Sequence, residues 1–345
     1  MKLLITGASG FLGQYVVVEA LRRGHQVRAV VRPSGDVTRY TWHDHPSVEF
    51  ARVDLRCQEG LTSAIEGVDA VIHLAAAKAG DFYTQFAGTV IATENLLRAM
   101  VEAKVLRLVA ISTFSVYDYV KMENNTLVTE DAPIESNPLE RDEYAQTKLI
   151  QEQLVREFEN THQALVTIIR PGMVYGRDYL WNACLGAELT DTLWLRIGAR
   201  ATMPITYVEN CATAIVLASE KEAAIAQTLN VVDDNLPTQR EFAKKLLKRM
   251  TVPAKLIPVN WALMNSLTWV LWYYNKIILK GQAKFPGIFV PAKLQARFKP
   301  LQYTNAHAKE ILGWTPKYSL DDAFERSSSD ADLLAVSPQA SPVSA

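Results

Sequence analysis

The sequence predicts an α/β protein with a doubly wound parallel sheet and a smaller C-terminal lobe. Three observations carry that prediction. Short apolar runs alternate with stretches of helical periodicity through the first half of the chain. The first run is followed at once by three glycines spaced G-x-x-G-x-x-G, which open a helix-like stretch. Each run then ends in a small, polar or charged residue, as required where ligands bind beyond the carboxyl ends of parallel strands.

Leu3 to Ile5 is the first strand, and Thr6-Gly7-Ala8-Ser9-Gly10-Phe11-Leu12-Gly13 is the turn after it. Strand, glycine turn and helix (Phe11 to Leu21) together make a Rossmann-type place for a dinucleotide. A turn without side chains lets backbone N–H groups approach a pyrophosphate, and the helix N-terminus adds partial positive charge. Gly7, Ser9, Gly10, Phe11 and Leu12 are the expected contacts, while Gly13 lets the helix pack close to the strand. Further strands are read at Gln26 to Val31, Val48 to Val53, Ala70 to Leu74, Val105 to Ile111 and Val166 to Ile169. Helical periodicity lies between them, clearest in Val90 to Ala103 and Tyr144 to Glu159. This pattern argues for right-handed βαβ units.

Beyond Pro171 the alternation fades. Residues 1–172 are read as the dinucleotide-binding domain, with some later segments returning to it, 173–326 mostly as a substrate lobe, and 327–345 as a disordered tail. Thr206 to Glu220 reads as a strand end and a helix, and Leu229 to Val232 as another apolar run. Thr238 is the expected N-cap of a helix running to Met250. Gly313 is expected to close the helix Asn305 to Leu312, with Pro316 just beyond.

The chain has 345 residues, 49% of them hydrophobic, with a formal net charge of −1. That suits one large domain or two smaller ones and gives no global pull toward nucleic acid. Cys57, Cys184 and Cys211 are scattered without metal-ligand spacing, and read as core thiols of a cytoplasmic protein, not as disulfides or ligands. No metal site is expected. The first strand is read from Lys2, without a long apolar region or cleavage site before it, so no signal peptide is expected.

The second chemical signal is Tyr144-Ala145-Gln146-Thr147-Lys148. Tyr and Lys four apart share one helix face. An ammonium beside a phenol favours phenolate, which makes a general acid/base for a hydroxyl/carbonyl pair. Ser112-Thr113 closes the fifth strand and can bring a hydroxyl to the same oxygen.

With these residues on the page, the chain resembles the extended short-chain dehydrogenases/reductases, the superfamily of nucleotide-sugar epimerases and dehydratases, 3β-hydroxysteroid dehydrogenases and dihydroflavonol reductases. The matching pieces run from Lys2 to about Glu325. Thr6 to Gly13 matches the glycine motif. Asp54-Leu55-Arg56 matches the segment whose Asp reaches the adenine amino group. His73-Leu74-Ala75-Ala76 matches the segment lining the cofactor, and Arg170-Pro171-Gly172-Met173-Val174-Tyr175-Gly176 the one beside the nicotinamide. Leu312-Gly313-Trp314-Thr315-Pro316 resembles the closing motif. The resemblance implies that Tyr144 moves a proton to or from the substrate oxygen and that Thr113 hydrogen-bonds it. It implies that Lys148 holds the nicotinamide ribose and lowers the Tyr144 pKa. It extends the cofactor set to Asp54, Leu55, Ala75, Ala76, Lys148, Pro171 and Met173. Thr89 departs from the Asn that many members carry on the fourth helix. The Val90 to Ala103 helix resembles a superfamily dimer helix, which makes a homodimer an expectation.

Arg32 ends the second strand where an acidic residue would favour NAD, so NADP is expected over NAD. Two substrate classes compete. Thr206-Tyr207-Val208-Glu209-Asn210-Cys211-Ala212 resembles the matching segment of 3β-hydroxysteroid and sterol dehydrogenases. The rival is a nucleotide-sugar epimerase or dehydratase. There Met203 stands where an Arg for the diphosphate is usual, with Arg196 and Arg200 as substitutes. A non-catalytic NADP-binding sensor is a third reading, opposed by the intact Thr113, Tyr144 and Lys148.

Phe82, Tyr83, Tyr175, Tyr179 and Trp181 fall in segments expected to face the cleft; as a group they suggest an apolar or ring-shaped substrate, while each taken singly reads as core. His73 reads as a packed strand-end histidine, and His43 and His45 as loop residues. Leu256 to Asn275 has no charge over twenty residues and is followed by Lys276, Lys280 and Lys284. A packed helix of the lobe, an interfacial helix and a membrane span are the three readings. The expectation is therefore an NAD(P)-dependent oxidoreductase of a small molecule, cytoplasmic and in possible peripheral contact with a membrane.

Overall fold

The structure is a computed structural model and describes residues 1–180, 183–190, 193–250, 255–283 and 285–329. Trp181, Lys284 and the chain beyond Ser329 lie outside the described residues. The main sheet has seven strands: β1 (Lys2–Thr6), β2 (Gln26–Val31), β3 (Val48–Arg52), β4 (Ala70–His73), β5 (Arg107–Ile111), β6 (Leu165–Pro171) and β7 (Gln227–Val231). Their order is β7-β6-β5-β4-β1-β2-β3, and every pairing is parallel. The winding reverses between β1 and β4, which is where a doubly wound sheet opens a crevice. Register then sets the site. Thr6 pairs with His73, His73 with Ala110, and Ile111 with Ile169, so these strands end together on one edge.

Alternate residues of the strands feed two hydrophobic cores, one on each face. Leu3, Ile5, Ile72 and Val109 pack with Val16, Val17 and Ala20 of the Phe11–Arg22 helix and with Ile215 of the Val208–Glu220 helix. Leu4, Val71, Leu108 and Ala110 pack with Leu96, Met100, Val155 and Phe158 on the other side. The apolar stripe that suggested a dimer helix is thus covered by the chain itself: Ala92, Leu96, Ala99 and Met100 are all buried against this sheet.

The Glu143–His162 helix begins at Asp142, whose carboxylate accepts from the Ala145 amide at 3.0 Å. It is fixed to the sheet by a buried ionic group. Glu152 accepts from Arg170 Nη2 of β6 at 2.5 Å, from Ser112 Oγ at 2.5 Å and from Arg156 at 2.8 Å. Arg170 in turn donates to the Tyr117 hydroxyl at 3.1 Å, and Tyr117 donates to Asn230 of β7 at 2.6 Å.

After β6 the chain builds the lobe. Leu193–Ile197 pairs antiparallel with Ala187–Thr190 and parallel with Lys255–Val259. The uncharged stretch Leu256 to Asn275 is therefore not one helix. Its first residues form that strand, and Asn260 caps the Trp261–Ile277 helix by accepting from the Leu263 amide at 3.2 Å. At 17 residues the helix is about 25 Å long, shorter than a bilayer's apolar core. Among the described residues no helix is long and apolar enough to cross a membrane. Met264 and Thr268 are its buried residues, while Leu263, Leu267, Val270, Tyr274 and Ile277 are exposed at helical spacing. Thr238 caps the Gln239–Leu247 helix in a reciprocal capping box with Glu241. Gly313 closes the Ala306–Leu312 helix at φ +61°. Trp314 then donates to the Asn210 carbonyl at 3.2 Å, docking the closing motif on the Val208–Glu220 helix.

Burial works to raise the Glu152 carboxyl, but the hydrogen bond and charge of Arg170, with Ser112 and Arg156, hold it down at about 2. A depressed carboxyl stabilises the fold above the unfolded-state value, and that contribution is lost as pH falls toward 2. Glu152→Gln is expected to cost about 3–5 kcal/mol at pH 7 by leaving Arg170 unpaired. The gap from wild type should narrow by about 2 kcal/mol between pH 6 and pH 3 in urea melts. A gap that does not change with pH would contradict this.

Candidate active site

The turn after β1 is shaped by backbone. Gly7 lies at φ +69°, and a Cβ there would stand 2.9 Å from the Ala75 nitrogen, against the loop leaving β4. A Cβ at Gly13 would stand 2.0 Å from the Gly7 carbonyl oxygen. Gly10 is the extended N-cap of the Phe11–Arg22 helix and supplies no side-chain cap, so the first-turn amides are open to an anion. Ser9, Phe11 and Leu12 are half-buried around it, and the Phe11 ring stacks on Tyr179 at 4.2 Å. A bare concave turn at a helix N-terminus fits a dinucleotide pyrophosphate.

Arg32 stands exposed at the end of β2 and makes no ion pair among the described residues. Asp54 follows β3, and its carboxylate accepts from Arg56 Nη2 at 2.5 Å. The Arg56 hydrogen bond holds Asp54 down at about 2, and the charge of Arg32 adds to the effect, so Arg32 and Asp54 are neighbours. Leu55 is buried and its carbonyl accepts from Asn95 at 3.0 Å. Ala75 donates its amide to the Thr6 hydroxyl at 3.2 Å, and Ala76 follows it, half-buried. Pro171 ends β6 and Met173 begins the short strand Met173–Tyr175.

Thr113 sits just past β5 and Tyr144 in the first turn of the Glu143–His162 helix. Thr113 is near enough to Tyr144 for its side chain to act on the phenol. Burial pushes the Tyr144 phenol up to about 12, against the lowering effect of Thr113. This corrects the expectation that Lys148 lowers the phenol. The Lys148 ammonium is turned instead to the Ile111 carbonyl and the Gln151 amide oxygen. Burial lowers Lys148 to about 7, the charge of Lys78 lowers it further, and Glu152 opposes both.

Gln151 extends this contact into a buried chain. Its amide nitrogen donates to Thr93 Oγ1 at 2.8 Å and lies 3.2 Å from His73 Nε2. His73 Nδ1 is 2.7 Å from the Thr6 hydroxyl. Its Nε2 also lies 2.8 Å from Thr93 Oγ1, and burial holds the imidazole down at about 3, so it is neutral. The glycine turn and Lys148 are thus joined through Thr6, His73 and Gln151. Sequence reasoning missed Gln151 and Glu152, although both follow Lys148 at i+3 and i+4 on one helix face.

The expected substrate residues fare differently. Tyr83 is 80% exposed on the Phe82–Phe86 helix, with Phe82 half-buried beside it. Tyr175 is fully buried among Tyr207, Phe242 and Phe324, and its hydroxyl donates to Asp233 at 3.3 Å. Its expected place facing the cleft is corrected to the core, because its polar end is already satisfied there. Arg196 lies in a groove with Arg240, Lys244 and Lys248, and Arg200 is exposed nearby in sequence.

The family model described as NAD dependent epimerase/dehydratase family matches residues 3–231. The chain belongs to this family. As a family member it is similar to the sterol-4-alpha-carboxylate 3-dehydrogenase, decarboxylating, of Mus musculus, with 26% identity over 94% of this chain and 89% of the relative. It is also similar to the 2-alkyl-3-oxoalkanoate reductase of Stenotrophomonas maltophilia, with 29% identity over 94% of this chain and 98% of the relative. The fold matches that of UDP-glucuronic acid 4-epimerase from Bacillus cereus in complex with NAD. The TM-score is 0.68 and the identity 22%, over 94% of this chain and 96% of that one. The family and its NAD-dependent chemistry agree with the bare glycine turn and the Thr113–Tyr144 pair.

Proposed function

We propose that this enzyme interconverts a secondary alcohol and a ketone on an apolar substrate of sterol or 3-hydroxysteroid type, with NADP preferred over NAD. The observation that carries the reading is the placing of Thr113 beside Tyr144 at the carboxyl end of β5, with Lys148 one turn further along. The nicotinamide, when bound, supplies the hydride or takes it. Gly7, Ser9, Gly10, Phe11 and Leu12 hold the pyrophosphate, Asp54 and Leu55 the adenine, and Ala75, Ala76, Pro171 and Met173 line the remainder. Arg32, exposed and without an ion pair, takes the 2′-phosphate of NADP. Tyr144 is protonated at neutral pH, so in ketone reduction it gives its proton to the substrate oxygen, and Thr113 orients that oxygen. Lys148 holds the ribose hydroxyls.

The two curated relatives bear on the substrate class. Each name joins an oxygen function at carbon 3 to a carboxylate on the adjacent carbon's substituent or chain end, two bonds from the reacting carbon. A 3-oxygenated acid with an apolar body is the class supported best. The epimerase reading rests on a different observation, the cationic groove of Arg196, Arg240, Lys244 and Lys248, which suits a diphosphate.

Peripheral membrane contact is the reading of the exposed face of the Trp261–Ile277 helix. Between Glu241 and Glu310 the sequence carries twelve Lys or Arg and no Asp or Glu. An apolar stripe set in a cationic segment suits an anionic lipid surface.

Tyr144→Phe is expected to lower kcat by about 10²–10⁴-fold while dinucleotide affinity, measured by calorimetry, stays unchanged. Activity close to wild type would remove Tyr144 from the proton step. Arg32→Ala should shift the NADP/NAD ratio of kcat/KM toward NAD; an unchanged ratio would sink the role given to Arg32. In flotation assays the full chain should rise with phosphatidylserine vesicles but not with neutral ones. The triple change Leu263→Gln, Val270→Gln and Ile277→Gln should abolish this, and equal flotation of both proteins would refute membrane contact.

A further inference from the structure

Two strands end side by side at the outer edge of the main sheet, β2 at Val31 and the edge strand β3 at Arg52. Register pairs Arg52 with Val31, so its guanidinium reaches the turn that begins at Arg32. That turn is tight. The Gly35 amide donates to the Arg32 carbonyl at 2.8 Å, and a Cβ at Gly35 would stand 3.1 Å from the same oxygen. Arg52 Nη1 donates to the Pro33 carbonyl at 3.2 Å and to the Gly35 carbonyl at 2.9 Å. One nitrogen thus ties down the chain on both sides of Ser34. The Arg52 side chain is exposed, and its Nε and Nη2 have no partner among the described residues.

The carboxylates of this edge are engaged elsewhere. Asp36 accepts from the Thr38 amide at 3.0 Å and from its hydroxyl at 2.8 Å. Asp54 is held by Arg56 at 2.5 Å, and Glu49 of β3 pairs with Lys2 and Arg28. Arg32 and Arg52 are left at adjoining strand ends without an ion pair among the described residues. Carbonyl oxygens facing a phosphate would repel it, and those of Pro33 and Gly35 are turned to Arg52 instead. The planar fork that holds them keeps further N–H groups for a phosphate oxygen.

We propose that Arg52 is a second specificity residue for the dinucleotide: it binds the 2′-phosphate of NADP together with Arg32 and shapes the turn that receives it. The inference rests on the NADP reading above. A cofactor with a bare 2′-hydroxyl offers no anion to Arg52, so the residue acts on NADP and leaves NAD untouched.

The test is calorimetric binding to the full chain, with NADP and NAD and with the fragments 2′,5′-ADP and 5′-AMP. Wild type is expected to favour NADP over NAD and 2′,5′-ADP over 5′-AMP. Arg52→Met should weaken NADP and 2′,5′-ADP by about tenfold or more, and leave NAD and 5′-AMP within about twofold. Arg52→Lys should recover only part of the loss, since one ammonium cannot hold both carbonyls and a phosphate. Equal weakening of NAD and NADP in Arg52→Met would overturn the proposal and reduce Arg52 to a support of the turn. Unchanged NADP binding in Arg52→Met, with the preference lost in Arg32→Ala, would overturn it and leave the Arg32 reading standing. A wild type without preference in either pair would remove both.

Discussion

The reactive edge depends on a buried ionic bond, Glu152 to Arg170, that ties one helix to one strand. Tyr144 and Lys148 ride on that helix, and β6 carries Arg170 and ends at Pro171. Breaking the pair would leave a buried charge, while replacing both partners with apolar residues costs little in principle. The value of the pair is therefore in register. Glu152 meets Ser112 and Arg170 of the sheet together, and the same placing of the helix sets Tyr144 beside Thr113. The same position brings Lys148 to the end of β5.

A second constraint runs across the sheet. β1 and β4 end level, so the Thr6 hydroxyl meets His73, and His73 meets Gln151 of the helix. Neutral histidine is what this position requires, because a buried imidazolium beside Lys148 would be unpaired. The polar chain gives the glycine turn and the catalytic helix a shared foundation. It also takes up the Lys148 ammonium through Gln151. Burial keeps the Tyr144 phenol protonated, which suits proton donation to a ketone oxygen.

Much of this was legible in the sequence. The glycine turn, the strand ends and the Tyr144–Lys148 spacing are local patterns, and local patterns survive without coordinates. Thr238 and Gly313 were readable for the same reason, as capping chemistry acts within one turn. The network around Lys148 was not readable, because Thr6, His73 and Gln151 come together only through strand register. Tyr175 was misplaced because an aromatic side chain looks the same facing a cleft or a core; Asp233, 58 positions away, decides it. Leu256 to Asn275 looked continuous because charge was its only marker. Pro258 in the strand and Asn260 at the cap were the break signals.

The central claim is net hydride transfer to a substrate ketone, with the proton coming from Tyr144. Its most direct test is reduction of a 3-oxo substrate with NADPH doubly deuterated at C4, followed by mass spectrometry of the recovered alcohol. The account predicts one deuterium on the carbinol carbon and one equivalent of oxidised cofactor per alcohol formed. Deuterium that stays with the cofactor, while a sugar nucleotide offered in parallel is epimerised without net oxidation, would contradict it.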